Sequence, residues 1–103
     1  MNKRNIILIG MPGAGKSSVG VILAKVLGYE FIDTDLVIQH REKRLLREII
    51  ADEGNEGFLA IENEVNATLE ANKSVIAPGG SAIYGKEAME HFKEIGTIVY
   101  LKL

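Results

Sequence analysis

The segment that most constrains the fold is a glycine-rich loop that directly follows a short apolar run. Residues 6–9 read Ile-Ile-Leu-Ile, and residues 10–17 read Gly-Met-Pro-Gly-Ala-Gly-Lys-Ser. This is the pattern G-x-x-x-x-G-K-[ST], placed between a predicted strand and a predicted helix. Glycines let the backbone curl so that successive N–H groups point at one anion, and the positive end of the following helix faces the same point. The segment therefore predicts a phosphate-binding loop that opens a βα unit.

Two side chains at the end of this loop supply the remaining chemistry of a nucleotide site. Lys16 can reach the outer phosphates, and the hydroxyl of Ser17 can take a coordination position on Mg²⁺. A chance glycine-rich turn is the alternative, but the flanking strand and helix disfavour it. We therefore expect a nucleotide and Mg²⁺ here.

Length and charge exclude several classes of protein. A chain of 103 residues corresponds to a single domain, here 1–103. Its 12 basic and 14 acidic residues give a net charge of −2, which argues against a general nucleic-acid surface. The chain has no cysteine, which fits a reducing cytosol, and no apolar run of about 18 residues that would suggest a membrane span. We expect a cytoplasmic monomer without nucleic-acid or membrane partners.

Short apolar runs alternate with helical periods, which indicates βα units and an α/β fold with a parallel sheet. Strands are predicted at about 5–9, 29–32, 74–77 and 97–103. A first helix is predicted up to residue 27, with helical spacing of Val19, Ile22, Leu23 and Val26. Further helices are predicted over 36–52 with a break near 43, after a turn framed by Gly54 and Gly57, and over 86–94.

The last predicted strand has no helix after it, although parallel sheets are usually covered on both faces. This favours a C-terminally incomplete chain over a minimal sheet with one poorly covered side.

Two further motifs follow predicted strands, where open α/β sheets bind their ligands. Asp33 and Asp35 have the i, i+2 spacing that places both side chains on one side of a strand. One could hold a magnesium-bound water and the other could act on a substrate hydroxyl; alternatively, one of them caps a helix starting at Leu36. Gly79 and Gly80 allow a close backbone approach to a ligand, or simply a tight turn.

Taken together, these features resemble the shikimate kinases, P-loop kinases with a three-layer fold of the nucleoside-monophosphate-kinase type. The resemblance covers the whole chain. It rests on residues 10–17, Phe31-Ile32-Asp33-Thr34-Asp35, the Glu-Gly-x-x-Gly-Phe stretch at 53–58 with Glu62, Gly79-Gly80, and Val99-Tyr100-Leu101.

The resemblance implies an enzyme that transfers a phosphoryl group from ATP, with Mg²⁺, to a small hydroxylated acid, in aromatic amino acid biosynthesis. It implies catalytic roles for Lys16 and Asp35, and metal binding by Ser17 and, through water, by Asp33. The implied nucleotide-binding residues are Gly13, Ala14, Gly15, Lys16, Ser17 and Ser18. The implied substrate-binding residues are Asp35, Gly79, Gly80 and Ser81.

The chain departs from the family pattern at two positions. The family places a substrate-binding arginine where this chain has Leu59, while the usual partner of that arginine, Glu62, is retained. The family's third glycine is Ser81 here, and the family's lid with its catalytic arginine, a second substrate-binding arginine, the last strand and the last helix would lie beyond residue 103. A kinase for another acceptor, such as a gluconate-like compound or a nucleotide, and an ATP-binding homologue without catalysis remain alternatives.

Overall fold

The computed structural model describes residues 4–10 and 16–101, and these form a parallel sheet covered by helices. The strands lie in the order β2-β3-β1-β4. Their bounds are β1 Asn5–Gly10, β2 Glu30–Asp33, β3 Ser74–Ala77 and β4 Gly96–Leu101. The helices are α1 Lys16–Leu27, α2 Thr34–Glu42, α3 Leu46–Ala67 and α4 Lys86–Ile95, with a 3₁₀ helix at Gly80–Tyr84. The α/β class and the four predicted strands are confirmed; the 3₁₀ helix was not predicted.

The two central strands are buried on both faces, as their apolar sequences require. On one face, Leu8 and Val75 pack with Ala24 of α1. On the other face, Ile7 and Ile76 belong to a cluster with α4 residues, Phe92 among them. Alternate residues of each strand thus face different helical layers.

Of the four apolar residues whose spacing indicated α1, only Leu23 lies towards the core, where it packs against Leu8, Ala24 and Val75. Val19, Ile22 and Val26 are 43%, 63% and 77% exposed. Besides Leu23, the helix meets the sheet through small residues: a Cβ built on Gly20 would lie 2.6 Å from Cε1 of Phe31. The absence of a side chain at Gly20 therefore allows the close approach of α1 to the sheet.

A second, purely helical core joins α2 to α3 through Ile38, Ile49 and Val65. The predicted break near residue 43 is confirmed, because Lys43 ends α2 in the left-handed region with φ of 55°. The predicted turn at 54–57 is reduced to a kink at Gly54, with φ of 77°, inside α3. Gly57 continues the helix.

Asn5 connects three parts of the fold at the start of β1. Its side-chain amide donates to the carbonyls of Ala71 and Ile95, each at 2.9 Å, and its Oδ1 accepts from the backbone N–H of Ser74 at 3.0 Å. The residue is 1% exposed, so these backbone groups depend on it rather than on water.

β4 lies at an edge of the sheet, and its side chains are less covered than those of β1 and β3. Val99 and Tyr100 are exposed. The predicted extension to residue 103 lies outside the described residues beyond Leu101. Within residues 4–10 and 16–101, no helix is long and apolar enough to cross a membrane.

We predict that Asn5→Ala lowers the free energy of unfolding by about 2–4 kcal/mol, because it removes three hydrogen bonds of buried groups. Urea denaturation measures the effect. Asn72→Ala, at an exposed position, is the control and should change stability by less than about 0.5 kcal/mol. Equal stabilities of the two variants would contradict the role given to Asn5.

We also predict that Gly20→Val destabilises the protein by about 1–3 kcal/mol, although valine is the better helix former, because its side chain collides with Phe31. Ile22→Ala on the exposed face of the same helix should cost less than about 0.5 kcal/mol. Thermal and urea unfolding of both variants test this order, and the reverse order would refute the assigned buried face.

Candidate functional site

Parallel pairing brings the carboxyl ends of β1, β2 and β3 to the same edge of the sheet. Asp33, the last residue of β2, is in register with Ala77, the last residue of β3. The loop that follows β1 leads to α1 at the same edge, and β3 lies between β1 and β2. Such an edge is where open α/β sheets bind ligands.

The predicted nucleotide site is described only at its helical end. Gly13, Ala14 and Gly15 lie outside the described residues, as does the side chain of Lys16. α1 begins at Lys16, and Ser17 and Ser18 are exposed in its first turn. The positive end of the helix and two exposed hydroxyl groups therefore follow the loop sequence, and these are groups that suit a phosphate and its Mg²⁺.

Asp33 and Asp35 are neighbours, but not as two residues of one strand. Asp33 ends β2, whereas Asp35 lies in the first turn of α2, which begins at Thr34 rather than at Leu36. Oδ1 of Asp33 accepts a hydrogen bond of 2.9 Å from the backbone N–H of Asp35 and so caps the helix. The strand geometry predicted for this pair is wrong, because the cap turns the chain between the two carboxylates.

Gly79 is the point at which carboxylates from two different helices meet. A Cβ built there would lie 2.8 Å from Oδ1 of Asp35 and 3.2 Å from Oε2 of Glu62. Any larger residue would displace these oxygens. The backbone φ of −62° is open to every residue type, so the requirement for glycine comes from the lack of space and not from the backbone angle. The structure thus brings together Asp35 and Gly79, both predicted substrate-binding residues.

Glu62 and Ser81 form a contact that the sequence did not predict. The hydroxyl of Ser81 donates a hydrogen bond of 2.7 Å to Oε1 of Glu62, which is only 2% exposed. A usable signal existed: Glu62 follows Phe58 by four residues and precedes Val65 by three, so it lies on the apolar face of α3.

Two further residues noted in the sequence, Gly80 and Leu59, each lie close in the chain to one of these two residues. Gly80, exposed, begins the 3₁₀ helix that carries Ser81. Leu59 is half-buried on α3. It precedes Glu62 by three residues, and side chains with that spacing share a helix face. The Gly-Gly turn therefore leads directly into the Glu62 contact.

Two of the basic residues on α2 and just after it, Arg41 and Arg44, form ion pairs. Arg41 pairs with Glu64 at 2.8 Å, and Arg44 pairs with Glu42, Asp52 and Glu53 at 3.0, 3.2 and 3.4 Å. Hydrogen bonds to Glu42, and then to Asp52, raise the pKa of Arg44 above its ordinary value. Arg41 thus links α2 to the last turn of α3, and Arg44 links Glu42 of α2 to the first half of α3.

Within the described residues, no three His, Asp or Glu side chains are grouped as a metal site. Ser17 and Asp33 nevertheless offer the oxygen donors that Mg²⁺ prefers, and magnesium sites commonly use few protein ligands together with phosphate oxygens.

Comparison with known proteins gives one consistent answer. The family model for shikimate kinase matches residues 12–103. Shikimate kinase 2 of Yersinia enterocolitica is 38% identical over 99 residues, which are 96% of this chain and 57% of that protein. A shikimate kinase from Acinetobacter baumannii, solved in complex with shikimate, has a TM-score of 0.88 and 37% identity over 97% of this chain and 56% of that chain.

A second solved structure, a shikimate kinase from Bacteroides thetaiotaomicron, has a TM-score of 0.84 and 32% identity, covering 96% of this chain and 57% of that chain. The chain therefore spans a little over half the length of the relatives that it matches. Its sequence and its fold agree over nearly all of its own length, and the chain belongs to the shikimate kinase family.

Proposed function

We propose that the protein to which this chain belongs transfers the γ-phosphoryl group of ATP to a hydroxyl group of shikimate. The observation that carries this proposal is the meeting of Asp35 and Glu62 at Gly79, at the sheet edge where the phosphate-binding sequence leads into α1. Membership in the shikimate kinase family and the shikimate-bound relative support the choice of acceptor. The proposed setting is the cytoplasm, with the protein as a monomer.

The nucleotide half of the site consists of the loop and the start of α1. Lys16 would bind the outer phosphates, and the N–H groups of residues 13–18 would surround them. Ser17 and, through water, Asp33 would hold Mg²⁺, which neutralises charge on the phosphates when bound. Asp33 also caps α2, so the same side chain would fix the start of the helix that carries Asp35.

The acceptor half consists of Asp35, Gly79 and the residues after it. A hydroxyl group that lies over Gly79 would donate to the carboxylate of Asp35, which would take its proton as the oxygen attacks the γ-phosphorus. The lack of a side chain at Gly79 keeps room for this carboxylate. Gly80 and Ser81 would complete this side of the acceptor site.

We predict that Lys16→Ala weakens MgATP binding about 10- to 150-fold, because a charge-assisted contact is worth about 1.5–3 kcal/mol. Isothermal titration calorimetry on folded protein measures the affinity. Lys25→Ala, in the last turn of the same helix, is the matched control and should leave the affinity unchanged. Equal affinities of the Lys16 variant and the unmodified protein would rule out this site.

We predict that Asp35→Asn lowers kcat for phosphorylation of shikimate about 10²- to 10⁴-fold while the MgATP dissociation constant stays within about twofold. Asp52→Asn, an exposed carboxylate paired with Arg44, is the control and should keep its activity. Undiminished turnover by the Asp35 variant would remove it from the mechanism. MgATP binding without any transfer by the unmodified protein would instead indicate an ATP-binding homologue without catalysis.

A further inference from the structure

Hydrogen bonds join α3, and the chain just after it, to α4 at two places. Oδ1 of Asn63 accepts a hydrogen bond of 2.9 Å from the backbone N–H of Ala88, in the first turn of α4. Gly85, which precedes α4, has no side chain that could cap the helix, so Asn63 satisfies this N–H from a neighbouring element. Further along, Nε2 of His91 lies 2.6 Å from the carbonyl oxygen of Leu69, and it donates because a carbonyl only accepts.

Asn66 lies in the sequence midway between these two places. It follows Asn63 by three residues, and that spacing places two side chains on one face of a helix. It precedes Leu69 by three residues, and Leu69 packs against the cluster that contains Phe92 of α4. The face of α3 that carries Asn66 is therefore the face that meets α4.

The side-chain amide of Asn66 is buried without a hydrogen-bond partner in the part of the chain that the structure describes. The residue is 0% exposed, and within residues 4–10 and 16–101 neither its Nδ2 nor its Oδ1 makes a hydrogen bond. A buried amide has lost its hydrogen bonds to bulk water, so leaving both atoms unpaired is costly. Buried groups that find no partner in the protein are commonly paired with an internal water.

The chemistry of the amide and its burial restrict what can bind there. A cation is repelled by the donor Nδ2 and an anion by the acceptor Oδ1, so the two atoms together suit a neutral molecule that both donates and accepts. Asn66 and the α4 residues Ala88 and Phe92 are all 0% exposed, so these residues provide no opening to the surface. A water molecule is neutral, donates and accepts, and is small enough for an enclosed site.

We propose that Asn66 binds one ordered internal water molecule at the interface of α3 with α4. The water pairs with the side-chain amide, and its remaining hydrogen bonds go to backbone carbonyl oxygens, which keep a second lone pair beside their helical bond. It thereby adds a hydrogen-bonded connection between those at Ala88 and His91. This water site is independent of the proposed function.

The full-length protein that contains this chain provides the direct test. A crystal structure that shows ordered waters should place one within about 2.7–3.2 Å of Nδ2 or Oδ1 of Asn66 and out of contact with bulk solvent. In solution, the side-chain amide protons of Asn66 should show magnetic cross-relaxation with a long-lived water. Asn72, which is exposed, is the matched control and should show only the brief contacts of surface water.

Two results would overturn the inference. One is an Asn66 amide that hydrogen-bonds directly to a protein group, whether from this chain or from the rest of the protein. The other is an amide with neither a water beside it in the crystal nor cross-relaxation with a long-lived water in solution.

Asn66→Leu gives an independent measurement, because leucine has nearly the shape of asparagine without its polar atoms. The number of long-lived internal waters, counted by magnetic relaxation dispersion of the solvent, should fall by one. Asn72→Leu should leave the number unchanged. An unchanged number in the folded Asn66 variant would contradict the proposal. If that variant does not fold, the crystal structure and the cross-relaxation of the unmodified protein decide.

Discussion

The parallel pairing of β3 with both β1 and β2 is the constraint on which the remaining structure depends. It aligns Asp33 with Ala77, so the segments after β2 and β3 leave the sheet at the same level. It also buries both faces of β3 and β1, which requires α1 on one side and α4 on the other. The carboxylate of Asp35 and the turn at Gly79 meet because of this register, although 43 residues of chain separate them.

Two positions of the fold need glycine because neighbouring groups approach the backbone closely, and not because the backbone angles are unusual. Gly20 lets α1 lie against Phe31, and Gly79 leaves space for the oxygens of Asp35 and Glu62. In both cases the lack of a Cβ allows two parts of the fold to lie closer together than a larger residue would permit. This also explains why the apolar spacing of α1 identified the helix but placed most of its buried face wrongly: beside Leu23, that face consists of Gly20 and Ala24, which carry little hydrophobic signal.

The burial of Glu62 gives a structural role to Ser81, one of the two departures from the family pattern. A buried carboxylate needs a hydrogen-bond donor, and the hydroxyl of Ser81 is such a donor. Glu62 and Ser81 are 19 residues apart in the sequence, and only the contact of α3 with the segment after β3 brings them together. The sequence did contain a signal, a charged residue on the apolar face of a helix. That signal does not identify the residue that donates a hydrogen bond to it.

The sequence by itself determined the class of fold, the phosphate-binding pattern and the family, because these depend on local order: an apolar run, a glycine-rich loop, helical spacing and short motifs after strands. It also placed the break at Lys43 and the strand at 74–77. The tertiary structure alone decided that Asp33 caps α2, that Asp35 and Glu62 converge on Gly79, and which face of α1 is buried. These features depend on distances between segments far apart in the chain, which packing sets and residue spacing does not encode.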